Sequence, residues 1–373
     1  MIFLVYLLLF STCYYSAMLL WFTIGNVFFN NKTITNQTKP VSIIIAIRNG
    51  EIALPSLLID LKSQNYPGDI EYILVDDESN DSTKKIIQEI AKKDNRFIYQ
   101  SSINGDSILN HKKRALDAGI KTASYEWLLF TDVDCKLKSS WVSSMAKYFS
   151  KKNDYIIGFS EVVPTNNLVT RFQALDFLML MLSARGSTGM GHPWASSGQN
   201  QAYRKSLFNK VGGFRQIAAH LQGDDSLFLQ ICRKYANPNI VFVDDYECQT
   251  NARQETSWIS FFKQRIRWAG DAKIVWKFNL PFFISMFPTL LVPILMVITL
   301  IVSLLNTDYY ILFIQFILIH FFIEFLLYFI GSIQISKPIS FLNFSLWFLI
   351  HIPYIIITGI SSLFIKQLNW KGR

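Results

Sequence analysis

Apolar residues fall into three regimes along this chain. Residues 2–24 form a nearly unbroken apolar run, with no charged residue before Lys32. After Phe278 the text is again apolar, and up to Ile365 only Asp308, Glu324 and Lys337 interrupt it. This tail divides into stretches near 282–305, 309–333 and 341–365, each long enough to cross ~30 Å of hydrocarbon as a helix. The alternative, buried core helices, would require a very large core around three such segments in a row. The N-terminal run lacks a basic leader and a small-residue cleavage site, and so reads as a retained anchor.

Between these regions the pattern changes to short β-rich runs alternating with segments of helical apolar spacing. The runs are Val41–Ile47, Ile70–Val75, Trp127–Thr131 and Ile240–Val243; the helical segments lie around 52–64, 83–94 and 112–123. A further helix is expected at 204–210, with Gly212-Gly213-Phe214 as a tight turn after it. This alternation predicts an α/β fold, a Rossmann-like, mainly parallel sheet with flanking helices. The expected division is an anchor over 1–31, an α/β domain over 32–254, an interfacial amphipathic segment over 255–280 and a membrane region over 281–373.

Composition sharpens this picture. The formal charge is +9, with 51% hydrophobic and 15% aromatic residues. Setting aside the charges of the tail leaves about +7 on the middle domain, which draws it to anionic headgroups and anionic ligands. No basic-aromatic RNA-binding motif is present, so nucleic acid is not expected as a partner. Cys13, Cys135, Cys232 and Cys248 have no ligand-like spacing and imply neither a zinc site nor a disulfide framework, in keeping with a reducing cytosol. Asn-x-Ser/Thr triplets at Asn31, Asn36, Asn80 and Asn343 receive no function.

In open parallel sheets ligands sit beyond the carboxyl ends of the strands, so the polar residues after each run carry the candidate chemistry. The first run is followed by Arg48-Asn49-Gly50-Glu51 and the second by Asp76-Asp77-Glu78-Ser79-Asn80-Asp81-Ser82. Crowded carboxylates repel unless a ligand or a helix N-terminus faces them. Asp81 or Ser82 capping the next helix accounts for part of the cluster; hydrogen bonds to a uracil or ribose would account for Asp76 and Asp77. The third run ends in Thr131-Asp132-Val133-Asp134, where strand alternation sends both aspartates to one side. Two carboxylates there suit Mg2+ or Mn2+, held by few protein ligands and by diphosphate oxygens.

Taken together, seven ordered motifs resemble a family 2 glycosyltransferase of the GT-A fold. They are Val41 to Glu51, Val75 to Asp81, Lys112-Lys-Arg-Ala-Leu116, the Asp132/Asp134 pair, Gly212-Gly-Phe214, Gly223-Asp-Asp225 and Gln264 to Trp268. The subgroup is the membrane-bound one, which includes cellulose and hyaluronan synthases, ceramide glucosyltransferase and bacterial lipid or carotenoid glycosyltransferases. The resemblance implies that Arg48, Glu51, Asp77, Lys112 and Asp132 serve the nucleotide-sugar donor and that Asp134 serves the metal. It also implies single-displacement inversion with a carboxylate as general base. Asp225 best matches that base, but Gly223 departs from the usual Thr-Glu-Asp form and leaves Asp224 as an alternative. Arg267 is the implied cation beside the leaving diphosphate, and Gln264 and Trp268 the acceptor and product side.

Gln264, Arg267 and Trp268 are spaced i, i+3, i+4, which puts them on one face of a helix expected to lie on the bilayer and aim that face at the active site. Gly186 to Gln201 reads either as a mobile acceptor-side loop or as a plain surface loop. Nucleotide sugars are cytosolic, so the catalytic domain is expected to face the cytosol from the plasma membrane, with the N-terminus outside. Four crossings would then leave Lys366, Lys371 and Arg373 outside, against the positive-inside tendency; either the rule fails for these three charges or one segment does not cross, with Pro288, Pro293 and Pro353 as places for a broken or re-entrant helix. His320 and Glu324 share a helix face, as a hydrogen-bonded structural pair or as a site near an acceptor lipid. The leading expectation is transfer of one sugar from a nucleotide-diphosphate sugar, a UDP-sugar first among them, to a lipid or glycolipid hydroxyl, with a lipid or glycan acceptor as partner. A processive polysaccharide synthase and an inactive export scaffold are the alternatives.

Overall fold

The computed structural model describes residues 2–30, 34–35 and 38–364. Lys366, Lys371 and Arg373, with Asn31 and Asn36, lie outside the described residues. Strands and helices are numbered along the chain. The described residues of Asn31–Val163 and Trp194–Arg253 form one compact unit, and those of Met1–Asn30, Pro164–Pro193 and Gln254–Leu368 form another.

The first unit is built on β1 (Val41–Ile47), β2 (Ile70–Asp76), β3 (Phe97–Ser101), β4 (Trp127–Phe130), β5 (Tyr155–Gly158), β7 (Gln201–Arg204) and β8 (Ile240–Val243). They form a seven-stranded sheet in the order β3-β2-β1-β4-β7-β5-β8. Every pair is parallel except those made by β7, which runs antiparallel to β4 and β5. Two short strands, β6 (Ser160–Val162) and β9 (Thr250–Ala252), pair separately. The sheet is therefore mainly parallel, as the alternation predicts.

β1 is buried along its whole length, the expected state of a central parallel strand covered on both faces. Ile43, Ile45 and Ile47 pack with Leu54, Leu57, Leu58 and Leu61 of α2 (Leu54–Lys62), Ile87 and Ile90 of α3 (Thr83–Lys93) and Trp141, Val142 and Met145 of α5 (Trp141–Ala146). The opposite face meets α4 (His111–Thr122), and the approach is close: a Cβ on Gly119 would lie 2.5 Å from Ile44 and 3.0 Å from Val75. Two further helices, α7 (Lys205–Lys210) and α8 (Ser226–Ala236), follow β7. Because β1, β2 and β4 are parallel, the segments after Ile47, Asp76 and Phe130 emerge at one edge. Antiparallel β7 pairs Gln201 with Phe130, so the residues preceding Gln201 reach that edge as well.

The second unit contains α1 (Ile2–Val27), α6 (Leu168–Gly189), α9 (Trp258–Ala269), α10 (Ala272–Val275), α11 (Leu280–Leu305), α12 (Tyr310–Gln334) and α13 (Phe341–Phe364). Four segments, 4–27 of α1, α11, the 307–334 stretch that ends in α12, and α13, are long and apolar enough to cross a membrane. α11 and α13 run unbroken through Pro288, Pro293 and Pro353, so the expected break is absent. An apolar segment offers its backbone no hydrogen-bond partner better than its own ladder, which favours continuity even where a proline removes a donor. Glu324 accepts from Tyr15 of α1 at 2.8 Å, while His320 Nδ1 lies 2.7 Å from the Phe316 carbonyl. The expected bond between His320 and Glu324 is replaced by a contact from another helix.

Helix α6, which begins in the 32–254 segment, reaches into Gly186–Gly189 and so converts the start of the expected loop into helix. It packs on α1 through small residues: a Cβ on Gly186 would lie 2.2 Å from the Phe22 carbonyl oxygen, and one on Gly25 would lie 1.9 Å from the Gly186 oxygen. Asn26 ties the pair by donating to Leu182 O at 2.8 Å, and Arg185 donates to Asn26 O at 2.8 Å. Close backbone approach through glycine is a usual way for helices to associate without a large apolar interface. Gly186→Val is expected to lower stability by about 1–3 kcal/mol through overpacking, seen as a reduced melting temperature in detergent; an unchanged value would contradict this packing.

Candidate active site

The loops after β1 and β2 are laced together. Arg48 is 4% exposed, and its Nη1 donates to the carbonyls of Asp77 at 2.7 Å and Glu78 at 3.3 Å. The Asn49 amide donates to Ser79 Oγ, the Asn80 amide to Asn49 Oδ1 and the Gly50 amide to Thr83 Oγ1. Glu51 accepts from the Ser82 amide at 3.0 Å, and its own amide donates to Asp81. At the start of α3 the cap comes from Asp81, which accepts from Thr83 N at 3.0 Å; Ser82 supplies no side-chain bond. Asp76 accepts from the Ser79 amide at 3.1 Å, so this carboxylate braces its own loop. Asp77 is buried beside it at 2% exposure.

Beyond β4 the geometry differs from expectation. β4 ends at Phe130, and Cys135 N bonds to Asp132 O at 3.1 Å, which closes a turn. Asp132 and Asp134 are therefore presented by a turn, and strand alternation does not govern their directions. Asp132 instead meets Lys112 from the first turn of α4: Lys112 Nζ lies 2.8 Å from Asp132 Oδ1 and 2.9 Å from Asp224 Oδ2. Burial disfavours the ammonium, but the two carboxylates outweigh it and raise its pKa, so Lys112 stays charged. Asp224 answers in kind: burial pushes its carboxyl up, yet Lys112 holds it below the usual range.

Asp225 caps α8, accepting from Ser226 N at 2.5 Å, and takes a second bond from the Gly198 amide at 3.2 Å. Burial and the neighbouring Asp224 charge push its carboxyl up to about 6. Two adjacent aspartates thus have opposite tendencies, one held toward its anion by Lys112 and the other pushed toward exchanging a proton near pH 6. The structure brings Lys112, Asp132, Asp224 and Asp225 together.

Gly198 lies in the stretch from Gly186 to Gln201 that the sequence offers as an acceptor-side or plain surface loop, but nothing in the sequence singles it out. A Cβ there would lie 3.2 Å from both Asp224 Oδ2 and Lys112 Nζ, so the backbone of the 196–200 segment lies directly over the charged cluster. Its only sequence signal is the Gly/Ser-rich stretch before β7. Gln201 and Ser196 of the same stretch were likewise not singled out; Gln201 Nε2 donates to Asp224 O at 3.2 Å, and Ser226 Oγ donates to Ser196 O at 2.9 Å.

For a cation, Asp132 and Asp134 offer an all-oxygen donor set. Burial, with Asp132 and Asp134 nearby, pushes the Cys135 thiol well up, so it supplies no thiolate. Among the described residues no cluster of three or more His, Cys, Asp or Glu is arranged to hold a metal. The donor set fits a hard divalent ion that completes its shell with ligand oxygens.

In the other unit, α9 is capped by Ser257, which accepts from Ser260 N. Of its two arginines, Arg265 is the buried one: its Nη2 lies 2.8 Å from Asp176 of α6, and its guanidinium covers the Trp268 ring at 4.1 Å. Gln264 Oε1 accepts from Arg265 at 3.3 Å. Gln264, Arg267 and Trp268 are part-exposed. Trp268 therefore has one ring face already occupied by Arg265, a partner not foreseen in the motif.

The Glycosyl transferase family 2 model matches residues 42–212 and the Glycosyl transferase family group 2 model residues 131–358. The chain is 26% identical over 258 residues to the probable glycosyltransferase YdaM of Bacillus subtilis, covering 66% of this chain and 59% of YdaM. It is 25% identical over 199 residues to the 4,4'-diaponeurosporenoate glycosyltransferase of Staphylococcus haemolyticus, covering 52% of each. The chain thus matches between half and three-fifths of the length of these relatives. Among solved structures, the mannosyltransferase PcManGT of Pyrobaculum calidifontis, in complex with GDP-Man and Mn2+, superposes with a TM-score of 0.60 at 15% identity over 98% of this chain and all of that one. With a GT-A-like sheet, an acidic cluster at its carboxyl edge and a family match over more than half its length, the chain belongs to the family 2 glycosyltransferases.

Proposed function

We propose that this protein is a membrane-bound, inverting glycosyltransferase that moves one sugar from a nucleotide-diphosphate sugar, most simply a UDP-sugar, to a hydroxyl of a lipid or glycolipid. The observation that carries the reading is the pairing of Asp224, neutralised by Lys112, with Asp225, whose carboxyl sits near 6. The relative named for 4,4'-diaponeurosporenoate and the four apolar helices support an acceptor held in a bilayer. The apolar helices anchor the protein in the plasma membrane with the catalytic unit on the cytosolic side, where nucleotide sugars are made.

In this reading Asp225 accepts the proton of the acceptor hydroxyl as its oxygen bonds to the anomeric carbon. The bond from that carbon to the diphosphate oxygen breaks, the configuration inverts, and the nucleoside diphosphate leaves with its charge. Lys112 balances Asp132 and Asp224 before the donor enters. Asp77 binds the base or ribose, and Asp132 the donor. Arg48 and Glu51 act through the loop they hold. A divalent ion on Asp134, with Asp132, would neutralise the diphosphate as a Lewis acid. Gln264, Arg267 and Trp268 retain the acceptor and product roles implied by their motif.

A base near 6 must lose its proton to work, so activity is expected to rise with pH and to reach half its plateau near pH 6. A pH profile of kcat/KM that is flat from 5 to 8 would contradict Asp225 as the base. The reading as a whole is tested by incubating detergent-purified protein with UDP-, GDP- and dTDP-sugars, Mn2+ and a membrane lipid extract, with and without EDTA. A single sugar added to a lipid, detected by mass spectrometry and lost with EDTA, supports it. A ladder of masses would instead make the protein a processive synthase, and no transfer from any donor would sink the reading.

A further inference from the structure

The first turn of α4 breaks a local rule. Lys112, Lys113 and Arg114 crowd a helix N-terminus, where the macrodipole disfavours cations. Lys112 is explained by its two carboxylates. Lys113 faces elsewhere: it is wholly buried, and its ammonium donates to the backbone carbonyls of His220 and of Gln222, the latter at 3.0 Å. Burying an ammonium is costly and persists only where something specific is gained.

What is gained lies immediately downstream. Gln222 leads into Gly223, whose φ of +99° is open to glycine and strained for other residues. Asp224 and Asp225 follow, then α8. The peptide around the two aspartates is held on its far side by Gln201 and Ser196, and on its near side by Lys113. Consecutive lysines therefore grip consecutive parts of one loop, Lys112 through the Asp224 carboxylate and Lys113 through the backbone ahead of it. The positive charge of Lys113 also helps keep Asp224 ionised.

We infer that Lys113 is a positioning residue for the general base: it fixes the 220–223 backbone so that Asp225 points at the acceptor hydroxyl. This inference rests on the reading of Asp225 as the base. A displacement of about 1 Å at a reacting group costs on the order of 10²-fold, and that is the expected fall in kcat for Lys113→Met, which keeps the stem and loses the donors. Binding of UDP with Mn2+, followed by calorimetry, should change less than about twofold, because the donor groups are untouched. Lys113→Arg, which retains donors, should recover part of kcat. Hydrogen exchange should quicken at 218–226 in the Met variant and stay unchanged across β1 and β2. A Met variant with wild-type kcat, or one whose kcat and UDP affinity fall together without local change in exchange, would overturn the inference. Should the Met variant not fold, Lys113→Gln is read by the same criteria. Asp225→Asn, run in parallel, separates the two levels: if it stays active the base reading fails, whereas an inactive Asn variant beside a fully active Met variant removes only Lys113.

Discussion

Asp225→Asn is expected to lower kcat by roughly 10²–10⁴-fold, the usual contribution of a positioned general base. Its value as a test comes from the second job of this side chain. Asp225 caps α8 through Ser226 N, and asparagine caps helices about as well as aspartate. The substitution therefore removes proton acceptance and the repulsion with Asp224 while leaving the helix start in place. Melting temperature should hold or rise slightly as activity collapses. Asp224→Asn gives the contrast: it removes one of two counter-charges of the half-buried Lys112, so donor binding and stability should both suffer. If the Asp225 variant were active and the Asp224 variant dead with its fold intact, the base would be Asp224, the alternative the sequence leaves open.

Asp176→Ala is expected to cost about 3–5 kcal/mol, because it leaves the Arg265 guanidinium buried without its partner. The two side chains are 3% and 5% exposed, so water cannot replace the lost carboxylate. Replacing both, Asp176→Leu with Arg265→Met, should restore much of the stability, since a well-packed apolar pair often matches a buried ion pair. Arg267→Ala, two residues along the same helix, should leave the melting temperature near wild type and reduce transfer. Thermal unfolding in detergent with a parallel transfer assay reads both. Equal destabilisation by Arg265 and Arg267 substitutions would remove the distinction between a structural and a functional arginine within Gln264–Trp268.

The contacts of that pentapeptide show where sequence reasoning stops. Periodicity places Gln264, Arg267 and Trp268 on one face, and the helix is found over Trp258–Ala269. What periodicity cannot show is that α6 brings Asp176 to Arg265, or that Arg265 then covers one side of Trp268. α6 itself escaped the reading because its 22 residues mix Gly, Ser, Arg and apolar positions around its circumference. Such a helix, packed on several sides by neighbours, has no single polar face to reveal it. The turn at Asp132–Cys135 is a similar case, for a period-two pattern continues on paper past the point where the backbone leaves the sheet.

Residue order alone determined the elements whose signals are local. The four long apolar helices follow from run length, the parallel α/β sheet from buried β-branched runs alternating with amphipathic helices, and the family from motifs whose order survives in one dimension. Charge type and spacing marked Asp132 with Asp134, and the family resemblance marked Lys112, Asp224 and Asp225 individually. Tertiary structure decided which charges meet. Lys112 lies 20 residues from Asp132 and 112 from Asp224, and only the shared carboxyl edge of β1, β2 and β4, with β7 reversed beside them, gathers these groups. The distinct tendencies of Asp224 and Asp225 have the same origin. Adjacent identical residues differ only in what surrounds them: here Lys112 holds the Asp224 carboxyl down against its burial, while burial and the neighbouring Asp224 charge push the Asp225 carboxyl up. Electrostatic environment is a property of three-dimensional neighbours, so no reading of the order of residues could have assigned it.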